Sequence, residues 1–150
     1  MQRRAVALLL PLLMLFAGPA LGQSVVNLPP MTTITFAAGS TTSTVSGQIV
    51  PGSRNVYFVL AKAGQSLTVS VASPNPGITF QVYPPEATLE KGADGVAVVA
   101  GRALPDAGPS DNAKAWIGAL PRDGNYLITV TLGAGATTAP VPYNLTVALQ

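Results

Sequence analysis

The sequence predicts an all-β protein, an antiparallel, jelly-roll-like β-sandwich of seven or eight short strands. Apolar and polar residues alternate with a period of two in several segments. These segments are separated by turns that use many of the chain's 15 glycines and 14 prolines. After the first 22 residues, no segment has a convincing apolar period of 3.6. Short strands between Gly/Pro turns are typical of sandwiches and jelly rolls.

The chain begins with a predicted secretory signal peptide, residues 1–22. Two arginines precede an apolar run, and small residues precede Gln23, as in a signal peptide with its cleavage site. A membrane anchor would need about 20 uninterrupted apolar residues, and Pro11 interrupts this run. We therefore expect a periplasmic or secreted protein with no membrane span after removal of the signal.

Charge and cysteine content limit the classes of function. Two of the eight Lys and Arg residues lie in the signal, which leaves six against six Asp and Glu. The remaining basic residues are scattered, whereas nucleic-acid-binding proteins cluster them, so nucleic acid is not an expected partner. Because the chain has no cysteine, the stability of the exported protein must come from its core and not from disulfides.

After a flexible leader, residues 23–32, we expect a single domain at residues 33–150. In "VYFVLA", Val56, Phe58 and Leu60 alternate with Tyr57 and Val59. The rows predicted to face inward on the later strands are Leu67, Val69 and Val71; Ile78, Phe80 and Val82; Tyr126, Ile128, Val130 and Leu132; and Tyr143, Leu145, Val147 and Leu149. We expect Val69, Phe80, Ile128 and Val147 to share one core. Residues 86–113 are predicted to be a long excursion around one short strand, Val96 to Val99.

Catalytic chemistry is not expected. Without histidine, the chain can form neither a Ser-His-Asp triad nor an imidazole metal site. The lysines stand in no SxxK frame, and the acidic residues lack the alternating spacing of a calcium loop. We therefore predict a monomer that is not an enzyme and has no cofactor and no metal.

The one tryptophan, Trp116, allows two interpretations. A ring exposed to solvent beside tyrosines would indicate sugar stacking or an interface. Alternatively, Trp116 covers the edge of the sandwich core before the turn at Gly118, an interpretation we favour.

The segments "VYFVLAKAGQSLTV", "FQVYPP", "WIGALPRDGNYLITV" and "YNLTV" together resemble the bacterial pre-peptidase C-terminal-like β-sandwiches. Among these, the chain is similar to the small exported inhibitors of g-type lysozyme. The resemblance spans nearly the whole chain after the signal. It implies an exported binding protein with a lysozyme as its target.

The resemblance also implies a partner-binding turn. In the inhibitors, a Ser-Gly-x-Tyr-like turn belongs to the region that engages lysozyme, and the corresponding turn here has Asp in place of Ser. The implied partner-binding residues are Arg122, Asp123, Gly124, Asn125 and Tyr126. Gly124 is expected to be structural, and Tyr126 could equally be a tyrosine corner. The polar side chains at the tip are expected to contribute little to folding.

Two classes of function remain open at this point. The first is a periplasmic binding protein that inhibits a lysozyme through a protruding loop. The second is a non-catalytic carbohydrate-binding or envelope-associated module, which would bind cell-wall glycan with exposed aromatic side chains on a flat face.

Overall fold

The computed structural model describes residues 29, 31–93, 97–133 and 138–150. The predicted signal peptide and most of the predicted leader lie outside these residues. Ten strands are present in the described part: β1 (Met31–Thr33), β2 (Thr42–Ile49), β3 (Arg54–Ala61), β4 (Ser66–Ala72), β5 (Ile78–Tyr83), β6 (Thr88–Lys91), β7 (Ala97–Ala100), β8 (Ala115–Ala119), β9 (Gly124–Leu132) and β10 (Val141–Leu149). No helix in this part is long and apolar enough to cross a membrane.

The strands form two four-stranded sheets and a small hairpin. Sheet A has the order β1-β3-β9-β5, sheet B has the order β2-β10-β4-β8, and β6 pairs with β7. All pairs are antiparallel except β1 with β3. The predicted all-β sandwich is confirmed, with more strands than the seven or eight expected. β1 begins at Met31, two residues before the predicted start of the domain.

The core lies between the two sheets. Val69, Phe80, Ile128 and Val147 are 0% exposed and belong to one hydrophobic cluster, as predicted. Because side chains alternate between the two faces of a strand, a slip of one residue would turn a whole row toward solvent. The alternation of large apolar residues with small or polar ones in β4 and β10 therefore favours a single register.

Strand β3 is apolar on both faces, and each face has its own partner. Tyr57 and Val59 face the core between the sheets. Val56 and Phe58 lie on the outer face of sheet A, where the β6–β7 hairpin covers them. This second cluster also includes Tyr83, Leu127, Ala87, Leu89, Val99 and Ala103. The outer face of sheet A is thus closed at one end by the excursion.

The excursion contains two strands where one was predicted. β7 matches the expected strand, although Val96 lies outside the described residues. β6 was missed because Leu89 is its only apolar residue. Further along, the excursion bonds to the edge of β5: the N–H of Leu104 donates to the carbonyl of Val82 at 2.8 Å, and the N–H of Phe80 donates to the carbonyl of Ala113 at 3.0 Å. The excursion therefore covers the edge strand β5, whose free backbone groups could otherwise pair with a strand of another chain.

Candidate functional site

The predicted partner-binding residues lie at one end of the sandwich. Arg122 and Asp123 occupy the turn between β8 and β9, and the other three begin β9. Two further segments contact this turn, residues 62–65 between β3 and β4 and residues 84–87 after β5. Together, residues 62–65, 84–87 and 120–125 form a surface that we call the loop end.

Tyr126 holds the turn from inside. Its side chain is 0% exposed and belongs to the core between the sheets. Its hydroxyl donates to the carbonyl of Arg122 at 2.7 Å and accepts from the N–H of Arg122 at 3.1 Å. This is the geometry of a tyrosine corner, in which the hydroxyl bonds to backbone a few residues upstream. Tyr126 therefore shapes the turn and is not available on the surface for a partner.

Gly124 is required by both its backbone and its surroundings. Its φ is +139°, a conformation that side-chain-bearing residues rarely adopt. A Cβ at this position would lie 2.8 Å from Cβ and 2.9 Å from Cγ of Pro85. Any side chain would push the turn away from residues 84–87. Gly124 therefore has the structural role expected from the sequence.

Asp123 joins two turns. Its Oδ1 accepts a hydrogen bond from the N–H of Ala63 at 2.7 Å. Beside it, the N–H of Gly64 donates to the carbonyl of Leu120 at 2.9 Å, and the N–H of Leu120 donates to the carbonyl of Gln65 at 2.8 Å. Asp123 thus has a contact with a second turn that the sequence did not predict, and its small contribution to folding stays a prediction. Sequence reasoning missed this bond because Ala63 and Asp123 are 60 residues apart.

Arg122, Asp123 and Asn125 are the exposed polar residues of the turn. Arg122 Nη1 lies 3.5 Å from Glu86 Oε1, and the two side chains are 66% and 50% exposed. Lys62, also exposed, stands on the neighbouring turn. The loop end thus presents two cations and two carboxylates, and its backbone is fixed from below by Tyr126 and Asp123. Such a surface can form charged hydrogen bonds with a polar partner at little cost in ordering.

Trp116 packs against the edge of the core, as favoured from the sequence, but Gly118 lies within β8 and does not form the predicted turn. It is half-buried against the main cluster, and its Nε1 donates to the carbonyl of Pro105 at 2.9 Å. Every aromatic side chain in the described residues is buried or half-buried. The described part of the chain therefore lacks the exposed aromatic face that a stacking sugar site needs. It also contains no group of three or more acidic side chains that could hold a metal ion.

No protein-family model and no curated protein matches the sequence. Solved structures do match. The periplasmic inhibitor of g-type lysozyme from Aeromonas hydrophila, PliG, is 28% identical, with a TM-score of 0.61, over 82% of this chain and 98% of that protein. PliG from Salmonella Typhimurium is 19% identical, with a TM-score of 0.54, over 81% of this chain and 98% of that protein.

A pre-peptidase C-terminal domain of a Bacillus anthracis collagenase is a more distant neighbour, 16% identical with a TM-score of 0.44, over 79% of this chain and 95% of that domain. At 19% identity, the likeness to the Salmonella protein concerns the fold alone. The match to the Aeromonas inhibitor also spans nearly all of that protein. The resemblance to the periplasmic inhibitors of g-type lysozyme that the sequence suggested is confirmed at the level of the structure.

Proposed function

We propose that this protein is an exported binding protein of the bacterial periplasm that inhibits a lysozyme, with the loop end as its contact surface. The observation that carries the proposal is the match to the Aeromonas inhibitor, at 28% identity over 98% of that protein. The absence of histidine and cysteine agrees with a role in binding and not in catalysis.

The chemistry of the loop end supports this assignment. Lysozymes cleave glycosidic bonds with carboxyl groups placed in a cleft. Arg122 is an exposed guanidinium on a turn whose backbone is bonded from two sides. An arginine can form paired hydrogen bonds with a carboxylate, and a rigid turn loses little conformational entropy when it enters a cleft. Asn125 adds an exposed amide beside it.

Cell-wall lysis by g-type, c-type and i-type lysozymes, followed with and without purified protein, tests the proposal. We expect slower lysis with the g-type enzyme. The double variant R122A/N125A should weaken inhibition at least about tenfold, a loss of about 1.4 kcal/mol in binding. Unchanged lysis with all three enzymes at micromolar protein would contradict the proposed function.

Two control variants assign the effect to the loop end. Lys114→Ala removes an exposed cation just before the opposite end of β8 and should leave inhibition unchanged. Asp123→Asn keeps the side-chain oxygen that accepts from Ala63 but removes the charge, so it separates the electrostatic role of Asp123 from its structural role. If R122A/N125A inhibits like the unaltered protein, the contact surface lies elsewhere on the molecule.

A further inference from the structure

A polar cavity lies on the outer face of sheet A, away from the loop end. Its volume is about 300 Å³. The floor is formed by β5 and β9, one wall by the turn between β2 and β3, and the other wall by the excursion. The lining residues that carry polar side chains are Ser53, Arg54, Thr79, Gln81, Asn112 and Thr131. Strand register places Arg54 beside Thr131 and Thr131 beside Thr79.

Polar side chains of β5 and β9 form a chain of hydrogen bonds along the floor of the cavity. The buried Thr129 hydroxyl donates to Gln81 Oε1 at 2.6 Å, and Gln81 Nε2 donates to Thr131 Oγ1 at 3.1 Å. Thr131 Oγ1 in turn lies 3.3 Å from Thr79 Oγ1. Only one of these two hydroxyls can donate a hydrogen bond to the other. Whichever of them donates, the other keeps a proton that can be directed to a ligand.

Arg54 gives the cavity its charge. In the part of the chain that the structure describes, the only ion pair joins Arg122 and Glu86, so Arg54 forms no ion pair with any of the described carboxylates. The Asp111 carboxylate, next to Asn112 in the sequence, accepts from the N–H of Gly108 at 2.6 Å and lines a different cavity. The positive charge of Arg54 also acts on Tyr83, where it opposes the rise in pKa caused by burial.

We propose that this cavity binds a small oxyanion, a carboxylate or a phosphate monoester. The guanidinium of Arg54 supplies the charge and paired N–H donors, and the Thr79–Thr131 pair supplies a hydroxyl donor that the buried chain holds in place. A volume of about 300 Å³ is at the lower end of small-molecule sites. The proposal does not depend on lysozyme inhibition, because the two surfaces share no residue.

Amide chemical shifts of the labelled protein, followed during titration with inorganic phosphate, with acetate and with uncharged glucose in about 0.15 M sodium chloride, test the proposal. Phosphate or acetate should shift the amides of Gly77, Thr79 and Thr131 saturably, with a dissociation constant of about 1 mM or tighter, and glucose should not. Tighter binding of phosphate would identify a phosphate ligand, and tighter binding of acetate a carboxylate. Shifts that rise linearly without saturation for both anions would overturn the proposal.

Matched variants locate the bound anion. Arg54→Gln should weaken binding at least about tenfold, and Thr79→Val should weaken it by a smaller factor because one donor is lost and the shape is kept. Lys91→Gln removes an exposed positive charge from β6, which does not line this cavity, and should leave the dissociation constant unchanged. Equal affinities for the unaltered protein and Arg54→Gln, with the remaining amide spectrum intact, would show that the anion does not bind in this cavity.

Discussion

The two ends of the sandwich are both held by a buried tyrosine hydroxyl, but over very different distances along the chain. At the loop end, Tyr126 bonds to the backbone of Arg122, four residues earlier. At the opposite end, the hydroxyl of Tyr143 lies 2.5 Å from that of Tyr57, 86 residues away, and accepts from Asn55 Nδ2 at 2.6 Å. The first contact lies within one turn, and the second joins β10 of sheet B to β3 of sheet A.

The two tyrosine contacts therefore have different structural roles: one fixes the conformation of a turn, and the other fixes the spacing of the two sheets. The Tyr126 corner determines how the turn before β9 is presented, and the exposed tip depends on it. The Tyr57–Tyr143 contact holds the sheets at a fixed distance, and Gly47 leaves room for it: a Cβ there would lie 2.6 Å from the Tyr143 hydroxyl. At one end the tyrosine thus orders an exposed turn, and at the other end it joins the two sheets inside the core.

Removal of a side chain from the shared core should affect both ends. Phe80 lies on β5, the edge strand of sheet A, and is fully buried in the core between the sheets. Phe80→Ala should lower the free energy of unfolding by about 3 to 5 kcal/mol, because it removes apolar contacts and leaves a cavity. Urea denaturation would measure the loss. A decrease below about 1 kcal/mol would contradict the placement of Phe80 between the sheets.

Removal of one hydroxyl at each end compares the two tyrosines directly. Tyr143→Phe deprives the buried Tyr57 hydroxyl of its partner, at a cost of about 1 to 3 kcal/mol. Tyr126→Phe frees backbone groups of Arg122, an exposed residue, so water can replace the lost bonds and about 0.5 to 1.5 kcal/mol should be lost. Paired urea denaturation curves test the order. A larger loss for Tyr126→Phe would mean that the local corner is the stronger constraint.

High pH should lower the free energy of unfolding through the buried pair of Tyr57 and Tyr143. Burial, and then the hydrogen bond with Tyr143, raises the pKa of Tyr57 above its ordinary value of 10.0. The folded state therefore holds this proton more tightly than the unfolded state does. The free energy of unfolding should be unaffected well below pH 10 and should fall above it, by up to about 1.4 kcal/mol per pH unit.

Denaturation curves at pH values from about 8 to about 11 would show this decline, and Tyr57→Phe should reduce its slope. Tyr83 provides a second, smaller source of decline, because burial also raises its pKa. If Tyr57→Phe has the same slope as the unaltered protein, the pH dependence originates elsewhere.

Local patterns in the sequence were enough to predict most strands and their inward rows, since alternation within a strand needs no distant partner. The tyrosine corner could also be anticipated, because both of its partners lie within "RDGNY". The bond from Ala63 to Asp123 and the Tyr57–Tyr143 contact could not, because they depend on which strands become neighbours. The same limit hid the cavity at Arg54, whose walls come from four separate segments.

The smallest expected change in the free energy of unfolding is for Arg122, and it should differ from the change for the neighbouring Asp123. The ion pair of Arg122 with Glu86 is long and open to water, and such pairs contribute about 0 to 1 kcal/mol. Arg122→Ala should therefore change the free energy of unfolding by less than about 0.5 kcal/mol. Asp123→Ala should cost about 0.5 to 1.5 kcal/mol, because the N–H of Ala63 loses its acceptor. Thermal and urea denaturation of both variants provide the measurement. Equal losses would mean that Arg122 also supports the turn, and reduced inhibition by Arg122→Ala could then no longer be attributed to a lost contact with the partner alone.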